Sequence, residues 1–410
     1  MSQREIPDSA IQTVASHINN RSSKNYGINP VGNKDNIETP QIFEIISFDE
    51  IDKSEKKFFA IDGSYNSEMF YNGLAIAIYT AGYICYQNGI QLCLNNLDDP
   101  TLLGKAYYPE SILITNDEHL IAIYDEFFTF QPIKRLIDFL GEDPSNIFPY
   151  NKEQICVNLS TLLSFCQEIL EIALILEIAE LPDTKAGDFI LRDGTLRSTL
   201  IKQQFLVRLG KYLKDKNIVL IAITKQSPIK MELAYSFKQI DIYLQDQLKP
   251  QYPFVQMDPK RKKLCCWFEV PMSVLQNSYK GEMFIRQSLT GGRGFGLFYA
   301  ARLDYVEKLQ NYDWLIADLN IFDAIPHIES NDRTRDIETI ENIFKELTRL
   351  TQEHYILGYP YPLAEVHNFI TLRKNFKEEI INRLKYYLYK DQRLDHVDIE
   401  NLFLDTHDRF

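Results

Sequence analysis

The sequence predicts an α/β fold, a mixed sheet flanked by helices, with additional β-rich and helical elements. Three observations carry this. Strand-like runs cluster between residues 57 and 86. A long helical segment follows from about Cys156 to Leu181. A strand, a helix and a second strand then alternate between 188 and 224, and such alternation implies helices packed on a sheet.

Residues 8–19 read as a short helix. The Asn-, Ser-, Lys- and Gly-rich stretch Asn20–Thr39 reads as a linker or mobile arm. Lys57–Asp62 is the first strong strand, followed at once by Gly63-Ser64. Leu74–Thr80 and Tyr83–Tyr86 read as two further strands separated by Ala81-Gly82, which together suggest a meander. The long helix stops before Pro182-Asp183. Asp188–Asp193 is a short apolar strand ending at Gly194, Thr195–Lys216 has helical spacing, and Asn217–Thr224 (NIVLIAIT) is β-branched like a buried strand. Leu264–Val270, Glu282–Ser288, Gly296–Ala301 and Trp314–Leu319 are further strand candidates. The end is helical over 336–351, 363–386 and 395–404. Meander, helix, strand, helix, strand is the order of an RNase H-like core. The division that follows is an N-terminal helix and arm (1–41), a main domain with an inserted middle region (42–390) and a C-terminal tail helix (391–410).

Composition narrows the class. A chain of 410 residues allows two or three units or one elaborated domain, and 45% apolar with 25% charged residues is ordinary for a soluble protein. The most apolar segment, Ile169–Leu181, is interrupted by Glu171, Glu177 and Glu180, which argues against a membrane span. The first residues lack a secretory signal pattern. Six scattered cysteines form no Cys-x-x-Cys pair and read as reduced thiols of a cytoplasmic protein. A formal charge of −13 looks wrong for a nucleic-acid binder, but binding follows the local field. Arg192, Arg197, Lys202, Arg208, Lys211 and Lys214 form one possible basic stripe, and a solvated face is the alternative.

Two strands end alike, Phe58-Phe-Ala-Ile-Asp62-Gly63-Ser64 and Phe189-Ile-Leu-Arg-Asp193-Gly194-Thr195. Each delivers an aspartate to its tip, where glycine lets the backbone turn sharply. Two such tips side by side bring carboxylates together, an arrangement that calls for protonation, hydrogen bonds or a bridging cation. Mg²⁺ or Mn²⁺ on oxygen ligands, hydrolysing a phosphodiester, is the usual solution. The simpler reading is that Asp-Gly is a common turn dipeptide. The helix between them offers a third carboxylate. A strand returning roughly 20 Å at about 3.3 Å per residue, beside a helix rising about 1.5 Å per residue, brings Asp193 level with residues 168–171. Glu171 is therefore the choice and Glu177 the alternative. Near the end stands Gly358-Tyr-Pro-Tyr-Pro-Leu363, followed by His367 one turn into a helix.

In this order, Ile61-Asp62-Gly63-Ser64, Leu191-Arg192-Asp193-Gly194-Thr195-Leu196 and GYPYPL…His367 resemble the NurA family of DNA nucleases, over about residues 57 to 385. The resemblance implies Mn²⁺ or Mg²⁺ held by Asp62, Glu171 and Asp193 in an RNase H-like core, with Tyr359 and His367 as further catalytic residues. It also implies DNA as substrate, a homodimer, and partnership with a HerA-like hexameric ATPase in DNA repair or defence. Thr195 stands where serine is usual. Arg192 stands where an apolar residue is common, as a phosphate contact or a residue pointing outward. Lys225 is a further candidate phosphate contact. No G-x-x-x-x-G-K-[ST] loop occurs, so ATP-driven movement falls to a separate chain. Thr290–Gly296 reads as a turn between strands. A non-catalytic subunit of an ATPase complex, and an RNA-directed RNase H-like enzyme, are the alternatives; the GYPYPL…His segment argues against the second.

Overall fold

The computed structural model describes residues 44–45, 54–70, 75–93, 104–108, 113–115, 120–196, 198–225, 227–230, 232–233, 236–237, 265–270, 274, 297–304, 314–319, 333–353, 358–372, 374–391, 393 and 395–403, together with Gln12. The expected helix at 8–19 (Gln12 apart), the arm at 20–39, the strand at 282–288 and the glycine-rich turn at 290–296 lie outside the described residues.

Among the described residues one eleven-stranded mixed sheet runs through the molecule. Its strands are β1 (Glu44–Ile45), β2 (Phe58–Met69), β3 (Ala75–Gln87), β4 (Ile90–Leu92), β5 (Gly104–Tyr107), β6 (Leu113–Thr115), β7 (Phe189–Asp193), β8 (Val219–Thr224), β9 (Cys266–Glu269), β10 (Leu297–Arg302) and β11 (Leu315–Leu319). The spatial order is β1-β9-β10-β11-β8-β7-β2-β3-β4, with β5 and β6 also pairing to β3. β2, β7 and β8 are parallel to one another, and the flanking pairs are antiparallel. The helices are α1 (Leu120–Phe127), α2 (Gln131–Leu140), α3 (Pro144–Ile147), α4 (Lys152–Ile155), α5 (Leu159–Glu180), α6 (Gln203–Asp215), α7 (Arg333–Glu353), α8 (Tyr361–Ile370), α9 (Lys374–Asp391) and α10 (His396–Leu402). This is the expected α/β class. None of the described helices is long and apolar enough to cross a membrane.

Strand alternation sorts side chains into two cores around the central strands, and a third cluster with Phe237, Phe268 and Trp314 lies at the β9–β10–β11 end. Phe59 and Ile61 of β2 and Ile190 of β7 join α1–α6 on one face. Phe58, Ala60, Phe189, Leu191, Ile221 and Ile223 join α7 and α8 on the other. α5 is the buried helix of the first face. Asn158 caps it by accepting from the Thr161 N–H at 2.8 Å, and it ends at Leu181 before Pro182. Nearly every side chain from Leu162 to Ala179 is buried or partly so, Glu171 and Glu177 among the buried.

Four sequence expectations need correction. Ala81-Gly82 is not a turn, because β3 runs unbroken through it. A Cβ at Gly82 would stand 2.4 Å from the Lys105 carbonyl oxygen and 2.6 Å from Ile370 Cδ1, so glycine serves a close approach there. Gly63 is no turn either: β2 continues through it in register with β3, Gly63 opposite Ala81. The helix expected over 363–386 is broken at Thr371-Leu372 into α8 and α9, and the one expected over 195–216 begins only at Gln203. The short helices α1 to α4 had no counterpart in the sequence reading.

Candidate active site

β2 and β7 pair in parallel with Phe58 opposite Phe189 and Ile61 opposite Arg192. The next residues along are Asp62 and Asp193, which the register brings to neighbouring positions about 4.8 Å apart in backbone spacing. They follow Ala60 and Leu191 by two, so both carboxylates belong to the α7–α8 face. α8 completes the site from above. Pro360 and Pro362 set its start, and His367 Nδ1 lies 2.8 Å from Asp62 Oδ2, while Asp62 Oδ1 accepts from the Gly63 N–H at 2.8 Å. Tyr359, just before α8, is buried beside Asp193. Burial and then the Asp193 charge hold its phenol well above the ordinary range. Its hydroxyl nevertheless makes no hydrogen bond of full geometry. Lys225 follows β8 on the same face, its Nζ 3.8 Å from Asp193 Oδ2 and 3.9 Å above the Tyr359 ring centroid.

Glu171 comes from the opposite face of the sheet. It packs against the strand beside Asp62 because residue 63 has no side chain: a Cβ there would stand 2.4 Å from Glu171 Oε1 and 2.6 Å from Gln167 Cγ. Gln167 Nε2 donates to Glu171 Oε1 at 2.9 Å. Arg192 donates through Nε to Glu171 Oε2 at 2.8 Å and through Nη1 to the Thr195 carbonyl at 2.8 Å, and its Nη2 lies 2.8 Å from the same Glu171 oxygen as an ion pair. Arg192 is therefore a buried partner of Glu171 and does not point outward. Burial alone would lower its pKa, but Glu171 and then Glu168 outweigh that and raise it. Glu177, the alternative carboxylate, sits elsewhere. It accepts from Tyr83, Tyr107 and Lys105, with Lys105 Nζ at 2.8 Å, on the β3–β5 side of α5.

One contributor was missed by sequence reasoning. Asp318 on β11 is buried and accepts from Thr195 Oγ1 at 2.9 Å and the Leu196 N–H at 3.1 Å, which fixes the turn after Asp193. The Thr224 hydroxyl donates to the Gly194 carbonyl in the same turn, and Gly194 takes a positive φ of 113°. The signal was present in Leu315-Ile-Ala-Asp-Leu319, an apolar strand carrying one aspartate.

Electrostatics shows what this arrangement lacks. Burial, then the Glu171 charge and the smaller Asp193 charge, push Asp62 up to about 6, against the lowering by His367 and the Gly63 N–H. Asp62 thus feels two further carboxylate charges, with Arg192 paired to Glu171 and Lys225 beside Asp193. Carboxylate oxygens under this repulsion are of the chemical type that a hard divalent cation such as Mg²⁺ or Mn²⁺ takes. Among the described residues the acids do not form a ready cage of three or more ligating side chains.

No family model matches the chain, and no curated protein does. Solved structures align along almost all of it. The NurA nuclease from Sulfolobus solfataricus is 15% identical and covers 95% of this chain and 100% of its own, with TM-score 0.44. NurA with manganese is 12% identical, covering 97% and 100%, with TM-score 0.36. NurA bound to dAMP and manganese is 10% identical, covering 97% and 99%, with TM-score 0.35. The chain is similar to NurA. At such identities and TM-scores this is a likeness of arrangement, and the chemistry rests on this chain's own residues.

Proposed function

We propose that the chain is a deoxyribonuclease that needs a divalent metal ion, Mn²⁺ or Mg²⁺, and hydrolyses phosphodiester bonds at the Asp62–Asp193 site. The observation that carries the reading is the meeting of these two aspartates on parallel strands with His367 bonded to one and Lys225 beside the other. Asp62 and Asp193 are the residues to hold the ion, and Glu171 adds Oε1 from across the sheet. A bound divalent ion supplies polarisation of the phosphate and a water of lowered pKa.

The protein's own groups do the rest. Asp62 fixes the His367 ring through Nδ1, which leaves Nε2 to move a proton to or from the reacting oxygens. Lys225 offers its ammonium to a non-bridging phosphate oxygen, and the Tyr359 ring steers its position. The Tyr359 hydroxyl, buried beside Asp193, is placed to donate either to that carboxylate or to the substrate backbone. Asp318 holds the turn that carries Asp193.

The test is cleavage of end-labelled single- and double-stranded DNA, with RNA in parallel, with and without Mn²⁺. Metal-dependent cutting of DNA that Asp62→Asn and Asp193→Asn each abolish is expected. Full cleavage by both variants overturns the proposal. The resemblance of the three motifs extends the proposal to assembly: a homodimer that acts with a HerA-like hexameric ATPase in DNA repair or defence. Co-elution with such an ATPase, and ATP-dependent digestion of long duplexes only in its presence, is the corresponding measurement.

A further inference from the structure

We infer that Ser64 is a positioning residue, which acts through α8 to hold His367 on Asp62. This rests on the role given to His367 above. Period-two alternation puts Asp62 and Ser64 on the same face of β2, about 6.7 Å apart along the strand. α8 and the residue just past it answer both. His367 Nδ1 lies 2.8 Å from Asp62 Oδ2, and the Leu372 N–H donates to Ser64 Oγ at 3.3 Å. At about 1.5 Å of rise per residue, the step from His367 to Leu372 is roughly 7.5 Å. The two spacings agree to about 1 Å, so strand and helix meet at two points and each link supports the other.

The packing of α8 does not supply this by itself. Leu363, Val366 and Ile370 bury one stripe of the helix against the sheet. Apolar burial is non-directional, however, and holds a helix down without setting its height to a fraction of an ångström. The His367 side chain is 56% exposed, so packing does not hold its ring. The last turn is where the helix is tied. Gly82 admits Ile370 Cδ1, and at Gly104 a Cβ would stand 3.0 Å from Phe369 Cε1, so this turn sits close on β3 and β5. Thr371 returns to His367: its N–H donates to the His367 carbonyl at 2.9 Å and its hydroxyl at 2.6 Å. Ser64 then takes the next amide, that of Leu372, beyond the end of α8. A directional bond from β2 thereby reaches the His367 backbone through Leu372 and Thr371. A displacement of about 1 Å at a reacting group is enough to cost rate.

The experiment is a double-mutant cycle on a short end-labelled DNA oligonucleotide with Mn²⁺, using the full-length parent, Ser64→Ala, His367→Ala and the combination, with Ser64→Thr alongside. Ser64→Ala is expected to lower kcat about tenfold with KM within about twofold of the parent, and Ser64→Thr, which keeps the acceptor, to restore most of the rate. In the His367→Ala background, Ser64→Ala is expected to cost nothing further. An equal loss in both backgrounds, as a general loss of stability would give, overturns the inference, and so does a Ser64→Ala rate equal to the parent's. The second readout needs no activity. Hydrogen exchange of the metal-free chain, followed by mass spectrometry, should show segment 366–372 exchanging about tenfold faster in Ser64→Ala, with segment 58–62 of β2 unchanged. Unchanged exchange at 366–372 overturns the inference whether or not the parent cuts DNA. If His367→Ala leaves no measurable cutting, the Ser64→Thr rescue and the exchange decide. Ser64→Cys, of similar size with a weaker acceptor, takes the place of Ser64→Ala if that variant does not fold. A parent without metal-dependent cutting would instead overturn the nuclease reading, and the exchange result then decides the Ser64 link alone.

Discussion

Replacing Asp62 with asparagine should stabilise the metal-free protein while abolishing cutting. Burial and the Glu171 charge push the Asp62 carboxyl from 3.8 up to about 6. In the unfolded chain it titrates at its ordinary value. Between pH about 4 and 6 the folded state therefore binds more protons than the unfolded state. Stability falls as pH rises through that window and stays lower above it. The full cost of ionising Asp62 in place is about 3 kcal/mol. Asparagine carries no charge and avoids this cost. It also keeps the geometry, because its Oδ1 accepts from the Gly63 N–H as Asp62 does, and its amide faces His367 Nδ1. For a chain of this size, about 3 kcal/mol corresponds to roughly 3 °C in melting temperature.

The assay is thermal unfolding followed by circular dichroism in EDTA, at pH 8 and pH 4. The variant should melt roughly 3 °C higher at pH 8 and within error of the parent at pH 4. Saturating Mn²⁺ should then raise the parent and leave the variant unchanged, narrowing or reversing the gap. Equal melting temperatures at pH 8 without metal, or a gap of the same size at pH 4, would refute the reasoning, since the effect belongs to one titration.

Four other substitutions probe the surroundings of the aspartates. Gly63→Ala forces a methyl group into Glu171 Oε1 and Gln167 Cγ; a loss of about 1–3 kcal/mol by denaturant titration and a large drop in cleavage are expected, and wild-type behaviour would mean that Glu171 needs no such window. Glu177→Gln should lower stability, because Lys105 loses its ion pair, yet leave the Mn²⁺ affinity of the remaining folded protein unchanged, whereas Glu171→Gln should weaken it; the reverse order would make Glu177 the site carboxylate. Lys225→Ala should leave the melting temperature almost unchanged, since the side chain is about half exposed, and slow cleavage about a hundredfold, with steady-state kinetics on short oligonucleotides as the measure.

Much of the fold was legible because its signals are local. NIVLIAIT became β8 and Phe189–Asp193 became β7, as β-branched or apolar runs bounded by turns would. α5 was legible from its length and the proline beyond it, while its start, fixed by the Asn158 cap, lies three residues after the expected Cys156. The failures share a cause. Glycine at 63 and 82 was read as punctuation of the local backbone, but both positions lie inside long strands and answer to residues far away in sequence: Glu171 and Gln167 in one case, Lys105 and Ile370 in the other. No local pattern distinguishes a glycine that turns a chain from one that admits a neighbour. Gly194, with its positive φ, is the turn that the same Asp-Gly signature also denotes.

The candidate site was half legible for a related reason. Aspartates at 62 and 193 stand out because each interrupts an apolar strand, and a parallel register of two such strands brings them together. What period-two alternation hides is the other face. Each strand sends Asp62 or Asp193 toward α8, and the residue beside it, Gly63 or Arg192, toward α5. Those two neighbours decide what Glu171 can do: Gly63 gives it room to approach, and Arg192 takes its charge and fixes its height. A sequence reader sees Arg192-Asp193-Gly194 as one motif, whereas the sheet splits it between two faces and a turn. The carboxylate geometry is therefore set from below the sheet, while His367, Lys225 and Tyr359, the groups proposed to handle proton and phosphate, lie above it. A substitution on the lower face that leaves every upper residue in place should still disable the site, and a screen confined to the residues around the aspartates on the α8 side would miss it.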